Sequence, residues 1–252
     1  MTDNDISFGV HAVQALLESH PDQIMEIWFQ KGRRGGRVEK LIEEARDSGI
    51  PVKFVDRDRI ERKAGSEQQG AVHQGVLALV RAAKVYREND LFALLDELDK
   101  PPFLLILDSI TDPHNLGACM RSADAAGVQA VIVARDKSAP LNSTARKVAC
   151  GAAETVPLIT VTNLARTMRD LQERGIWLIG AAGEASSNIY TTDLNGSVGI
   201  VMGAEGSGLR RLTREHCDAL VHIPMVGSVS SLNVSVATGI CLFEALRQRT
   251  QH

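Results

Sequence analysis

Three loops of this chain, each following an apolar run, hold the side chains able to do polar chemistry. The first, "SITDPHNLG" at 109–117, carries Asn115 and leads to Arg121. The second, "AEGSG" at 204–208, sets Glu205 among Gly203, Gly206 and Gly208. The third, "GSVSSLN" at 227–233, is small and uncharged and ends on Asn233. An amide both donates and accepts hydrogen bonds, a guanidinium only donates, and serine hydroxyls and backbone N–H groups add donors. Such a set orients a polar ligand. No Ser–His–Asp order, paired carboxylates or metal cluster stands beside it.

Each loop also has a plainer reading. Asp112-Pro113 is a good helix start, with Asp as cap and Pro in the first turn. Asn115 and Arg121 are six residues apart, 120° off a common helix face, so their convergence requires Asn115 to belong to the loop. The glycine-rich turn lacks the Lys-Ser/Thr pair of a P-loop and the spacing of a dinucleotide fingerprint, and Glu205 would repel a phosphate. Val236, Ile240 and Phe243 are spaced by four and three, which predicts one buried helix face. Gly239 sits mid-helix at a cost of about 1 kcal/mol relative to alanine, which predicts close backbone contact. His114 could serve as a base, but it and His73 read equally well as solvated loop histidines. Trp28 and Trp177 read as core or interface residues.

The elements that must position these loops follow from periodicity. Residues 1–80 read as a small α/β domain: helix "GVHAVQALLESH", strand "IMEIWFQ", helix "VEKLIEEARDSG", strand "PVKFVD", helix "RIERKAG" and strand "GVLALV". Residues 81–100 read as linker plus one helix, stopped by Pro101-Pro102. From residue 101 to 252 the texture changes. "FLLILD" is a continuous apolar run, as expected of a strand covered on both faces. Further strands ("AVIVAR", "VPLITV", "WLIGAA", "GIVMG", "ALVHIPM") alternate with helices ("LGACMRSADAAG", "NSTARKVACGAAE", "NLARTMRDLQERG", "LRRLTREHC", "VSVATGICLFEALRQ"). That order predicts a mostly parallel sheet with helices on both faces. Ligands in such sheets sit beyond the carboxyl ends of strands, where the three loops fall.

Composition bounds the rest. With 252 residues, 44% hydrophobic and 23% charged, the chain has the make-up of a soluble globular protein, and its net charge of −3 demands no polyanion partner. The charge is uneven: 1–30 hold five acids and no Lys or Arg, whereas "KGRRGGR" at 31–37 holds Lys31, Arg33, Arg34 and Arg37 and no acid. That basic stretch is either a solvated hairpin tip or a contact for a phosphate backbone. Cys119, Cys150, Cys217 and Cys241 are scattered, so no zinc site or disulfide framework is expected and each reads as a small core hydrophobe. No run approaches the roughly 20 apolar residues that span a bilayer, and the first residues have no signal-peptide pattern. A cytoplasmic protein with no membrane or metal partner is expected.

Taken together and in order, "DSITDPHNLGACMRSADAAG" (108–127), "IVMGAEGSGL" (200–209) and "IPMVGSVSSLNVSVATGICLFEAL" (223–246) resemble the three motifs of the SpoU/TrmH family of SPOUT-class RNA 2′-O-ribose methyltransferases. Residues 1–80 resemble that family's ribosomal-protein-L30-like substrate-binding domain. The resemblance implies a SPOUT domain closed by a deep C-terminal trefoil knot, S-adenosyl-L-methionine as cofactor, and a homodimer with sites at the interface. It implies methylation of a guanosine ribose in the peptidyl-transferase region of 23S rRNA, met bare or in an assembling large-subunit particle. It places catalysis on Asn115, Arg121, Glu205, Ser231 and Asn233, and the cofactor against Gly203, Ile223, Met225 and Leu232. Target contact falls to Lys31, Arg33, Arg34 and Arg37. Three alternatives stand beside it: methylation of another rRNA or tRNA ribose by the same chemistry, a catalytically silent RNA-binding or assembly factor on the same fold, and a nucleotide-binding metabolic enzyme with an unrelated doubly wound sheet.

Overall fold

The computed structural model describes residues 5–19, 21–33, 35–65, 74–80 and 85–250. They fall into two units, Met1–Lys84 and Val85–His252. The first runs β1 (Asp5–Phe8), α1 (Val10–Ser19), β2 (Ile24–Gln30), α2 (Gly36–Asp47), β3 (Val52–Val55), α3 (Arg57–Gly65) and β4 (Val76–Val80), with sheet order β1-β4-β2-β3. β4 is antiparallel to β1 and β2, and β2 is parallel to β3. Side chains alternate across a strand, so Ile27 and Phe29 pack with Val13 of α1 and Leu41 of α2, while Trp28 packs with Ile60 of α3 and Leu77. The Trp28 Nε1–H donates to Glu26 Oε1 at 2.6 Å, and the Arg59 guanidinium lies 5.1 Å from the ring centroid. The basic segment after β2 is a strand-to-helix turn, not a hairpin tip, because α2 follows it.

The second unit runs β5 (Tyr86–Arg87), α4 (Glu88–Asp96), β6 (Phe103–Asp108), α5 (Pro113–Ala125), β7 (Ala130–Ala134), α6 (Ser143–Ala149), α7 (Ala152–Thr155), β8 (Leu158–Val161), α8 (Leu164–Glu173), β9 (Trp177–Ala181), β10 (Ser187–Asn188), β11 (Val198–Gly203), α9 (Arg211–Glu215), β12 (Ala219–His222) and α10 (Val234–Arg249). Its eight strands form one sheet, order β10-β12-β9-β11-β6-β7-β8-β5, and every pairing is parallel. All of β6 is buried. Phe103, Leu105 and Leu107 face Leu116 and Met120 of α5 and Leu242 of α10, whereas Leu104 and Ile106 face Leu91 of α4 and Met168 of α8. The expected linker is thus divided. From Val85 the chain belongs to this unit, where β5 pairs with β8 and Glu88 accepts hydrogen bonds from Arg166 at 2.7 Å and Thr167 at 2.6 Å.

Several details depart from the periodic reading. The stretch 142–154 is two helices, because Cys150 (φ 51°) and Gly151 (φ 93°) are left-handed. Cys150 is therefore an exposed helix terminus and not a core residue. Trp177, expected in the core or at an interface, is 63% exposed at the first position of β9, which excludes the core alternative only. Finally, Val236 and Phe243 are about half exposed; α10 buries Val234, Thr238, Cys241, Leu242 and Ala245 instead. Gly239 is not pressed against backbone either: a Cβ there would meet only Ser122 Oγ, at 3.8 Å. The tight helix contact is at Gly117, where a Cβ would overlap the Ala145 carbonyl of α6 and lie 2.8 Å from Val148 Cβ.

Strand order carries the functional consequence. β11 lies beside β6, with Gly203 level with Asp108. From β6 the chain steps outward through β7 and β8 on one side, while β11 and β9 occupy the other. The reversal opens a crevice at the carboxyl ends, the usual ligand position in open parallel sheets.

Candidate active site

Asp112 caps α5 by accepting from His114 N at 3.0 Å, with Pro113 at the first helical position. The helix therefore starts before Asn115, which lies in its first turn and not in the loop. Asn233 caps α10 in the same manner, its Oδ1 accepting from Ser235 N at 2.9 Å and Ser235 Oγ at 2.6 Å. That leaves the Asn233 Nδ2 group pointing outward. It donates to Asn115 Oδ1 at 3.0 Å and lies 3.4 Å from Glu205 Oε2. One amide thus joins the first turn of α5, the Glu205 loop and the start of α10, and it does so because a cap fixes its rotamer.

The loop bearing Glu205 is folded on itself. Ala204 N donates to Gly208 O at 3.1 Å, and Gly208 N to Ala204 O at 2.8 Å. Gly203 lies so near the returning strand that a Cβ would fall within the backbone of Gly208 and Leu209. Beside this loop, over the ends of β9, β11 and β12, is a cleft of about 470 Å³, within the size range of small-molecule sites. Gly203, Ile223, Met225 and Leu232 line it together with Glu205 and Ser231. His222 lines it too, and its buried Nδ1 has no hydrogen-bond partner among the described residues.

Arg121 stands apart. It is exposed on α5, makes no hydrogen bond or ion pair among the described residues, and does not line the cleft. Six residues of helix put it about 9 Å along the axis from Asn115. Ser122, its neighbour in sequence, faces Gly239 of α10. His114 is exposed, and His73 lies outside the described residues. Three of the four cysteines are poor nucleophiles: burial pushes the Cys119 thiol up to about 11 and Cys241 up to about 12, and burial with Asp218 and Asp108 pushes Cys217 up to about 12. Such thiols stay protonated near neutrality. No cluster able to hold a metal ion occurs among the described residues, and no helix there is long and apolar enough to cross a membrane.

In the first unit, Lys31 and Arg33 are exposed; Lys31 Nζ lies 3.3 Å from Asp56, and Arg37 lies 3.4 Å from the His11 ring. Arg34 lies outside the described residues. Two groups that the motifs do not single out come forward in the structure: Asp108, fully buried, and Arg210, bonded to it. Their signal in the sequence is an acid closing an apolar run, "FLLILD", where a charge is costly unless paired.

The profile of the SpoU rRNA methylase family matches residues 102–243, and that of the RNA 2′-O ribose methyltransferase substrate-binding domain matches 6–86. The chain is 59% identical to the 23S rRNA (guanosine-2′-O-)-methyltransferase RlmB of Pectobacterium atrosepticum over 246 residues, which is 98% of this chain and 99% of that protein. It is equally 59% identical to RlmB of Escherichia coli, over 98% of this chain and all of that protein. Among solved structures it resembles the SpoU methyltransferase AviRb of Streptomyces viridochromogenes in complex with AdoMet (TM-score 0.67, 23% identity, 99% of this chain and 92% of that one). It also resembles an AdoMet-bound rRNA methyltransferase of Sinorhizobium meliloti (TM-score 0.64, 24% identity, 98% and 88%). These two likenesses carry the fold, and the relatives identical over nearly full length carry the kinship. The chain belongs to the SpoU rRNA methylase family.

Proposed function

We propose that this protein transfers a methyl group from S-adenosyl-L-methionine to the ribose 2′-oxygen of one guanosine in 23S rRNA, in the peptidyl-transferase region. The observation that carries the reading is the Asn233 amide, which gathers Asn115 and Glu205 at the rim of a cleft of suitable size. RlmB relatives matched along almost the whole chain support the substrate.

The residues present suit the cofactor. Gly203 lets the glycine-rich loop fold back on itself as one wall of the cleft, Ile223, Met225 and Leu232 offer apolar contact, and the orphaned His222 Nδ1 offers a polar one. Bound S-adenosylmethionine supplies an electrophilic methyl group; the protein's share is alignment and handling of the proton. Ser231 and Asn233 orient the ribose, and Glu205 holds the loop through Asn233. Arg121 is assigned to the 2′-hydroxyl and the adjacent phosphate. A guanidinium does not give up its proton in proteins, so Arg121 stabilises charge, and the proton leaves to the phosphate or late in the reaction.

A homodimer completes this reading. The apolar ridge Val236, Phe243 on α10 is uncovered in the single chain, and α5 with Arg121 lies against the same helix. Burying the ridge against a second copy brings an arginine with no partner among the described residues toward a site assembled from both protomers. Action on ribosomal RNA implies a cytoplasmic location.

Calorimetry separates this function from a nucleotide-binding metabolic enzyme: S-adenosylmethionine binds, whereas NAD and ATP do not, and the reverse order overturns the reading. The basic turn gives a second expectation. Replacing Lys31, Arg33, Arg34 and Arg37 with glutamine weakens RNA binding and flattens its salt dependence by about 0.7 in log–log slope for each phosphate no longer neutralised. Lys31 contributes least, since Asp56 already faces it. An unchanged slope returns the turn to ordinary solvated surface.

A further inference from the structure

Asp108 has no exposed surface, yet it ends a strand of apolar residues. A buried carboxylate is tolerated only when paired and hydrogen-bonded. Here Arg210 meets it twice: the backbone N–H donates to Oδ2 at 2.8 Å and Nε–H to Oδ1 at 2.5 Å. Ser109 Oγ–H donates to Oδ1 at 3.2 Å. Arg210 is the residue that leaves the glycine-rich loop and immediately precedes α9.

The position of this pair matters more than its strength. The loop 204–209 starts at Gly203, whose place is set by its register with Asp108 on β6. It finishes at Arg210, held by the same aspartate's carboxylate. Both ends of the loop are therefore referred to one residue. That residue also begins the first loop: Ser109 follows in a left-handed conformation (φ 64°), and Ile110 O accepts from Ala139 N at 2.7 Å before Asp112 starts α5. Asn115 and Glu205, which meet at Asn233, follow the two neighbouring strands β6 and β11, whose ends are level at Asp108 and Gly203.

We propose that Asp108 and Arg210 are positioning residues that set the distance between Asn115 and the Glu205 loop and the shape of the cleft over the ends of β9, β11 and β12. Neither needs to touch the reacting atoms. The proposal rests on the methyltransferase reading above. A displacement of about 1 Å at a reacting centre costs on the order of 100-fold in rate.

The experiment uses the full-length protein with large-subunit rRNA and labelled S-adenosylmethionine. Arg210→Gln keeps the backbone bond to Asp108 and removes the guanidinium; Arg210→Lys keeps the charge, so that the buried carboxylate is not left alone should the glutamine variant fail to fold. Turnover is read below each variant's melting transition, and cofactor affinity is read by calorimetry. The expected result is a graded loss at full foldedness. Turnover falls about 100-fold in Arg210→Gln and about tenfold in Arg210→Lys, with cofactor affinity weakened in the same order. Wild-type-like turnover and affinity in folded Arg210→Lys, or loss of melting temperature alone, overturns the positioning role. Absence of transfer by the wild-type protein contradicts the methyltransferase reading instead.

Discussion

Arg121→Ala lowers methyl transfer by about 10³-fold, while cofactor affinity, thermal stability and dimer formation stay near wild type. The size follows from removing one preorganised charge donor in a reaction that develops negative charge on oxygen, which costs about 10²–10³ in rate. The selectivity follows from the structure. Arg121 is exposed, bonds to no described residue and does not line the cleft, so neither the fold nor the cofactor pocket depends on it. Arg121→Lys recovers little, because a point charge does not reproduce a planar fork that spans hydroxyl and phosphate. The measurement is single-turnover methylation at saturating cofactor. Near-normal turnover in Arg121→Ala refutes the assignment.

Gly203→Ala acts on the other half of the site. Its added methyl group has no space, since the backbone of Gly208 and Leu209 occupies it. Backbone cannot rotate aside as a side chain can. The loop has to open, breaking the Ala204–Gly208 bonds and carrying Glu205 away from Asn233. Overpacking of this kind costs about 1–3 kcal/mol, which the domain can absorb. The cleft cannot, because this loop forms one of its walls. The expected outcome by calorimetry is loss of S-adenosylmethionine affinity by about 100-fold, equivalent to nearly 3 kcal/mol, in a protein that still melts cooperatively. Unaltered affinity in the folded variant removes the glycine loop from the cofactor site.

The parts of this molecule legible in the sequence are those where local chemistry and tertiary role coincide. The run "FLLILD" announces a buried strand because parallel strands covered on both faces have no polar side. Asp112-Pro113 announces a helix start because capping is a local bond. The three loops are legible as a site for the same reason, since each follows such a strand.

The features that escape the sequence do so for physical reasons. Helix α10 is apolar around most of its circumference, so spacing alone does not tell the stripe buried within the chain, Val234 to Ala245, from the stripe Val236–Phe243 left outside. Asn115 is expected in a loop because convergence with Arg121 on one helix is geometrically poor. The structure leaves Asn115 on the helix and Arg121 apart, which is the arrangement that a second protomer would complete. The break at Cys150–Gly151 escapes a pattern reading because a left-handed cysteine has no signature in composition. β5 pairs through two residues only, too few for any alternation. Asp108 and Arg210 are 102 residues apart, and only the insertion of β11 beside β6 makes them neighbours.

The central claim is that this protein places a methyl group on the ribose of one guanosine in 23S rRNA. Mapping 2′-O-methylation across the rRNA of a strain lacking the gene tests it most directly. The account predicts that one guanosine loses its modification, and that the wild-type gene restores it while the Arg121→Ala form does not. A methylation map identical with and without the gene would contradict the account.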